Sequence, residues 1–134
     1  MKSTILALAC FLLHAGLGAN AKSSSDYNVD DLCQHWVHSF EEQQKGETRE
    51  IYRPAGSRTF SPSRFRMEYI FEKNGNCKWY YLSPDDDHRF KNGKWKIDAI
   101  DKNLLMITKE GKTESFKIEE LSKSVLRFTL LNPK

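Results

Sequence analysis

Alternation of apolar and polar side chains is strongest between residues 65 and 72. Phe65, Met67, Tyr69 and Phe71 interleave there with Arg66, Glu68, Ile70 and Glu72. A period of two predicts a strand with one face in a core. Asn74-Gly75 follows at once, and both residues tolerate the positive φ of a tight hairpin turn. The return strand is expected from Cys77 to Leu82, with Cys77, Trp79 and Tyr81 on one face. Trp95, Ile97 and Ala99 alternate with Lys94, Lys96 and Asp98 in the next strand. Turns at Asp101-Lys102-Asn103, Glu110-Gly111-Lys112 and Leu121 to Lys123 then mark out strands at Leu104 to Thr108, Glu114 to Glu119 and Val125 to Leu131.

Upstream, Trp36, His38 and Phe40 alternate with Val37, Ser39 and Glu41, and Glu50 to Arg53 suggests a short second strand. Pro54 to Ser63 and Ser83 to Asn92 read as polar loops. Asn28 suits the cap of one helical turn within Val29 to His35. No long helical periodicity occurs.

Eight short strands joined mostly by tight turns predict an all-β fold, an antiparallel up-and-down meander. Closing it into a barrel removes the exposed edges; an open sandwich is the alternative. In an unbroken meander successive turns alternate between the two ends. The N-terminal turn, both long loops and the Gly111 turn would then share one end. Function concentrates in long loops.

Residues 1–21 have the layout of a secretory signal peptide: Lys2, an uncharged run from Ile5 to Leu17, and small residues at Ala19 and Ala21. The run is short for a membrane span, and no second one follows. Residues 22–34 are a polar lead-in with the helical turn, and 35–134 the barrel domain. The expected product is therefore secreted and extracellular. The whole chain has 134 residues and a formal charge of +3. Losing Lys2 and no acid lowers that charge by one. A balance so near neutrality gives no reason to expect a nucleic-acid partner.

Secretion permits a disulfide between Cys33 and Cys77. An unbroken meander puts them at opposite ends, roughly 25 Å apart, against the roughly 7 Å a bridge tolerates. If Glu50 to Arg53 is not a full strand, they meet. Both arrangements stay open at this point.

Arg53, Arg58, Arg64 and Arg66 flank the Pro54–Ser63 loop. A guanidinium fork suits a carboxylate or phosphate head group. The competing arrangement pairs these arginines with Asp85, Asp86 and Asp87. Asp85 to His88 lacks the spaced ligands of a calcium loop. His35 and His38 fall on opposite faces of a strand, so no metal and no cofactor is expected. Trp36, Tyr69, Trp79 and Trp95 either line a cavity or fill it. No nucleophile elbow, zinc-protease motif or phosphate loop occurs, and no enzyme activity is expected.

The stretches Trp36-Val37-His38-Ser39-Phe40-Glu41-Glu42, Tyr52-Arg53-Pro54, Phe60 to Arg66 and Gly93-Lys94-Trp95 resemble small secreted lipocalin-like domain proteins of the calycin superfamily. That resemblance implies a barrel for a small apolar or amphipathic ligand, acidic head groups included. It also implies that Trp36 packs beneath Arg127 of the last strand. The candidate ligand site is then Trp36, Tyr69, Trp79 and Trp95 with Arg53, Arg64, Arg66 and Arg127. The alternative is a secreted protein-interaction or inhibitor module with a filled barrel, working loops and a protein partner.

Overall fold

Asn28 caps the first turn as the sequence predicts, its side chain accepting from the Asp30 backbone N–H ahead of a 3-10 turn at Val29–Leu32. The computed structural model describes residues 27–85 and 87–131. The expected leader, the first residues of the lead-in and Asp86 lie outside them.

Eight strands follow: β1 (His35–His38), β2 (Arg49–Pro54), β3 (Glu68–Phe71), β4 (Asn76–Leu82), β5 (His88–Ile97), β6 (Leu104–Lys109), β7 (Lys112–Leu121) and β8 (Leu126–Leu130). A second 3-10 turn, Phe40–Glu42, leaves β1. All neighbouring strands are antiparallel and close into a barrel in the order β1-β2-β8-β7-β6-β5-β4-β3. From β3 to β8 the chain meanders. β1 lies between β2 and β3, with Trp36 paired to Pro54 on one side and Tyr69 on the other.

Both β2 and β3 therefore run antiparallel to β1. The segment 55–67 must carry the chain back along the barrel before β3 begins. That crossover corrects the expected sorting of loops. The N-terminal turn shares the lower end with Asn74-Gly75 and the turns at 98–103 and 122–125. The upper end is ringed by 39–48, 83–87 and 110–111, while 55–67 runs from one end to the other. Cys33 and Cys77 consequently lie toward the same end, but both are free thiols. Cys77 points into the core, and burial pushes its thiol up to about 11.

The lower end is plugged. Leu32 and Trp36 are fully buried, and the Trp36 indole Nε1 donates to Leu32 O at 2.9 Å. Gln34 Nε2 reaches Lys123 O at 3.1 Å, and the Tyr27 hydroxyl donates to Lys102 O. The N-terminal segment is thus tied to the turns on either side of the β6–β7 hairpin. Trp95 donates its indole N–H to Glu72 O at 2.8 Å at the same end.

Aromatic rings fill the middle. Phe128 lies 4.5 Å from Phe116, 5.1 Å from Tyr52 and 6.3 Å from Tyr69, centroid to centroid. Tyr69 is on β3 and Phe128 on β8, with β1 and β2 between them, so this contact crosses the interior. Val37 and Ile51 are also buried, yet their register neighbours Arg53, Glu68 and Arg127 are only part-buried. They form the covered part of the outer wall.

Four boundaries differ from expectation. β1 stops at His38, ahead of the Phe40–Glu42 turn, and β3 starts only at Glu68, so Phe65 to Met67 belong to the crossover. β5 begins at His88 rather than after Asn92, because residues 88–92 pair with β4. The predicted alternation stops short there because the inward position is Lys91, not an apolar residue. β7 runs through Leu121, and a bulge between Ile118 and Glu120 returns Leu121 to the inner face.

Gly93 is where the wall is tightest. A Cβ there would sit 2.7 Å from Thr108 O and 3.1 Å from Cys77 Sγ. Backbone cannot yield as a flexible side chain does, so Gly93→Ala is expected to cost about 1–3 kcal/mol. A fall in the denaturation midpoint at unchanged m-value checks it; an unchanged midpoint would show that β5 and β6 separate freely.

Candidate functional site

Strand period continues past the aromatic layer toward the upper end, but the inward residues become charged. On β2, Glu50 precedes inward Tyr52 by two. On β6, Lys109 follows inward Ile107 by two. On β7, Glu114 precedes inward Phe116 by two, and on β5 Lys91 is paired with Trp79. Four ionisable side chains from four strands thus meet at one mouth.

Lys109 is at its centre. Its Nζ donates to the Tyr69 hydroxyl at 2.7 Å and lies 3.4 Å from Glu114 Oε1. It also stands 4.9 Å above the Tyr69 ring and 5.4 Å from the Trp79 ring centroid. β6 and β3 are separated by β5 and β4, so this hydrogen bond too spans the interior. Lys91 Nζ stands 3.7 Å over Tyr81 and bonds Glu110 on the rim. Ammonium groups over ring faces gain electrostatically, more so where water is thin.

The mouth is neither dry nor open water. The Lys109 side chain is 13% exposed and Glu114 40%. Burial lowers the Lys109 amine below the usual lysine range, against the pull of Glu114 and Glu50. Burial likewise raises the Glu50 carboxyl, with Glu114 adding to it and Lys109 opposing. The Tyr52 and Tyr69 phenols are pushed well up by burial. His38 also faces inward, stacked on Tyr52 at 4.9 Å and bonded to Gln43, and burial lowers its pKa. Trp79 is nine-tenths buried, and its Nε1 has no hydrogen-bond partner among the described residues.

The sequence-predicted site divides in three. Tyr69 and Trp79 wall the mouth. Trp36 and Trp95 belong to the plugged lower end, each with its indole N–H bonded to backbone. The arginines are on the outside. Arg127 sits between inward Leu126 and Phe128, so it must face out; it pairs with Glu120 at 3.1 Å and does not cover Trp36. Arg64 is exposed on the crossover.

The remaining arginines do find carboxylates, but not those of Asp85 to Asp87. Arg53 grips Glu42 with two bonds of 2.7 and 2.8 Å, and Arg58 joins the same carboxylate at 3.4 Å. Arg66 forks onto Glu41, donates to His38 O and Ser61 O, and stacks 4.1 Å over Phe40. Asp87 pairs with Arg89. The acidic partners come from the 3-10 turn after β1, which the sequence reads as strand. There the two neighbouring acids splay toward different arginines. This clamp fastens the crossover to the wall.

The clamp carries a pH signature. Hydrogen bonds from Arg66 and Arg53 hold Glu41 and Glu42 down at about 2, from an ordinary 4.5. A depressed carboxyl stabilises the fold above its ordinary value and loses that contribution as pH falls toward the folded value. Stability is therefore expected to decline between pH 4.5 and 2, and the decline should be shallower in the Glu41→Gln/Glu42→Gln variant. Both pairs are partly exposed, so salt should weaken the effect. A melting-temperature series against pH tests this; equal slopes for the two proteins would contradict it.

Sequence reasoning missed Glu50, Lys91, Lys109 and Glu114. The signal was available for three of them: each is a charged residue two positions from an inward apolar one, at a strand end. Among the described residues no group of three or more His, Cys, Asp and Glu side chains converges as a metal site. No helix in the described residues is long and apolar enough to cross a membrane. No family model, curated protein or solved structure matches the chain.

Proposed function

We propose that the protein is an exported, lipocalin-like binding protein that takes a small amphipathic ligand with an acidic head group at the upper mouth of its barrel. The observation that carries this is the pair of inward lysines, Lys91 and Lys109, standing over Tyr81, Tyr69 and Trp79. An acidic head would take the place of the Glu110 and Glu114 carboxylates against those ammoniums, and the apolar part would lie on the rings. Small-ligand sites of this kind combine apolar walls with a few placed polar groups. Arg53, Arg66 and Arg127 already hold Glu42, Glu41 and Glu120, and Arg64 is exposed on the crossover, so the head-group role passes to the lysines.

Calorimetric titration with decanoate and with methyl decanoate tests the reading. A charged hydrogen bond contributes roughly 1.5–3 kcal/mol, so the acid should bind about 10- to 100-fold more tightly than the ester. Lys91→Met should erase most of that preference while leaving the ester unaffected. Equal affinity for acid and ester would sink the head-group assignment.

A second reading has its own observation. The contacts of Tyr69 with Phe128 and with Lys109 span the interior and fill it below the mouth. A filled barrel suits a protein-interaction module working through its loops. Under that reading neither decanoate nor its ester produces heat.

A further inference from the structure

We propose that Lys109 is a covalent capture site, its amine condensing reversibly with an aldehyde at the barrel mouth to form an imine. The proposal rests on the mouth being the binding site, but not on the ligand being an acid.

The geometry assembles the parts such a reaction needs. Lys109 Nζ is set at the border of the aromatic layer, 2.7 Å from the Tyr69 hydroxyl and 3.4 Å from Glu114. Tyr69 and Trp79 offer ring faces within 5.5 Å, against which an alkyl or conjugated chain would lie. Lys91 differs: its ammonium is bonded to Glu110 on the rim, and its side chain is more exposed, 23% against 13%. Glu50 faces the Lys109 amine from β2, beside the Tyr52 hydroxyl, and Glu114 faces it from β7. Tyr69 on β3, Tyr81 on β4, Lys91 on β5 and His38 on β1 are the other titratable groups at the mouth, and Cys77 on β4 acts on the amine from below the ring layer. Desolvation pulls both the Lys109 amine and the Glu50 carboxyl toward their neutral forms, so moving one proton from the ammonium to the carboxylate prepares a free amine and a proton donor together. Burial is the usual way a lysine becomes a nucleophile at neutral pH.

The step balances without any oxidant or reductant. The Nζ lone pair adds to the carbonyl carbon, and a proton passes from nitrogen to the carbonyl oxygen, giving a carbinolamine. The Glu50 carboxyl gives its proton to that hydroxyl. The carbon–oxygen bond breaks, water leaves, and the nitrogen lone pair closes the carbon–nitrogen double bond. What remains is a protonated imine and the Glu50 carboxylate. The new cation keeps the old ammonium's surroundings, with Glu114 as counter-ion and the ring faces of Tyr69 and Trp79. Water reverses the sequence.

Decanal is the probe, added to the intact protein at neutral pH and followed by borohydride reduction and peptide mass mapping. The expected result is one N-decyl adduct, on Lys109, prevented by Lys109→Arg. Glu50→Gln removes the proton donor and should slow adduct formation by about 100-fold. Decanoate binding is measured on the same samples. Adducts scattered over exposed lysines, or none on Lys109 while decanoate still binds, would overturn the capture site and leave the binding reading standing. If neither decanal nor decanoate engages the mouth, both fall. Site mapping on the unaltered protein decides the matter even if a variant folds poorly.

Discussion

Replacing Phe128 with alanine is expected to destabilise the protein by about 3–5 kcal/mol. Its side chain is fully buried on β8 and meets Phe116, Tyr52 and Tyr69, rings from three other strands. Truncation removes the transfer free energy of the ring and leaves a void whose walls cannot close in. Those walls are a closed barrel, each strand hydrogen-bonded on both sides. Tyr69 is also held from the other direction by Lys109. A cost near the upper end of the range is therefore expected. Phe128→Leu keeps most of the volume and should cost clearly less. Denaturant unfolding followed by far-ultraviolet circular dichroism measures both. A cost below about 1 kcal/mol for alanine would mean that the centre of the barrel is already loosely filled.

Trp36→Ala is the second large effect, also about 3–5 kcal/mol, for a partly different reason. Trp36 is fully buried and is the link between the wall and the plug: its indole N–H bonds Leu32 O, and Leu32 is itself buried. Loss of the indole removes packing and one of the two hydrogen bonds that Leu32 O accepts, the other coming from the Gln34 backbone N–H at 2.8 Å. Trp36→Phe keeps one ring and removes the donor with the rest of the indole, so it should cost less than alanine; the hydrogen-bond share of that cost should be about 0.5–1.5 kcal/mol. Hydrogen exchange should also quicken at Cys33, whose backbone N–H bonds Asp30 O in the same turn. A stability loss without faster exchange there would show that the plug does not depend on Trp36.

The fold was largely legible because one-sided burial writes itself into period two. Tyr69 and Phe71, and Cys77 and Trp79, occupy the inner face that alternation assigns. What alternation cannot encode is neighbour choice. Nothing in the sequence of β1 says that it separates β2 from β3, so the ends to which loops belong were misassigned. The site was harder for a related reason. A hydrophobic pattern identifies inward positions by their being apolar, and the mouth is where inward positions are not. Lys91 therefore shortened the expected fifth strand, and Glu50, Lys109 and Glu114 passed as surface charges. The four arginines drew attention as a cluster on paper, yet the 3-10 turn at Phe40–Glu42 supplies Glu41 and Glu42 to hold Arg66 and Arg53.

The three tryptophans report separately on the two ends. Trp36 and Trp95 sit at the plugged end with their indole N–H groups bonded to Leu32 O and Glu72 O, whereas Trp79 stands in the mouth with its indole unbonded among the described residues. A nitrogen–proton correlation spectrum resolves their indole signals during a decanoate titration. If the ligand seats at the mouth above a filled barrel, the Trp79 signal shifts and the Trp36 and Trp95 signals stay in place. Movement of all three would contradict a filled barrel, and a stationary Trp79 at saturating ligand would contradict the mouth as the binding site.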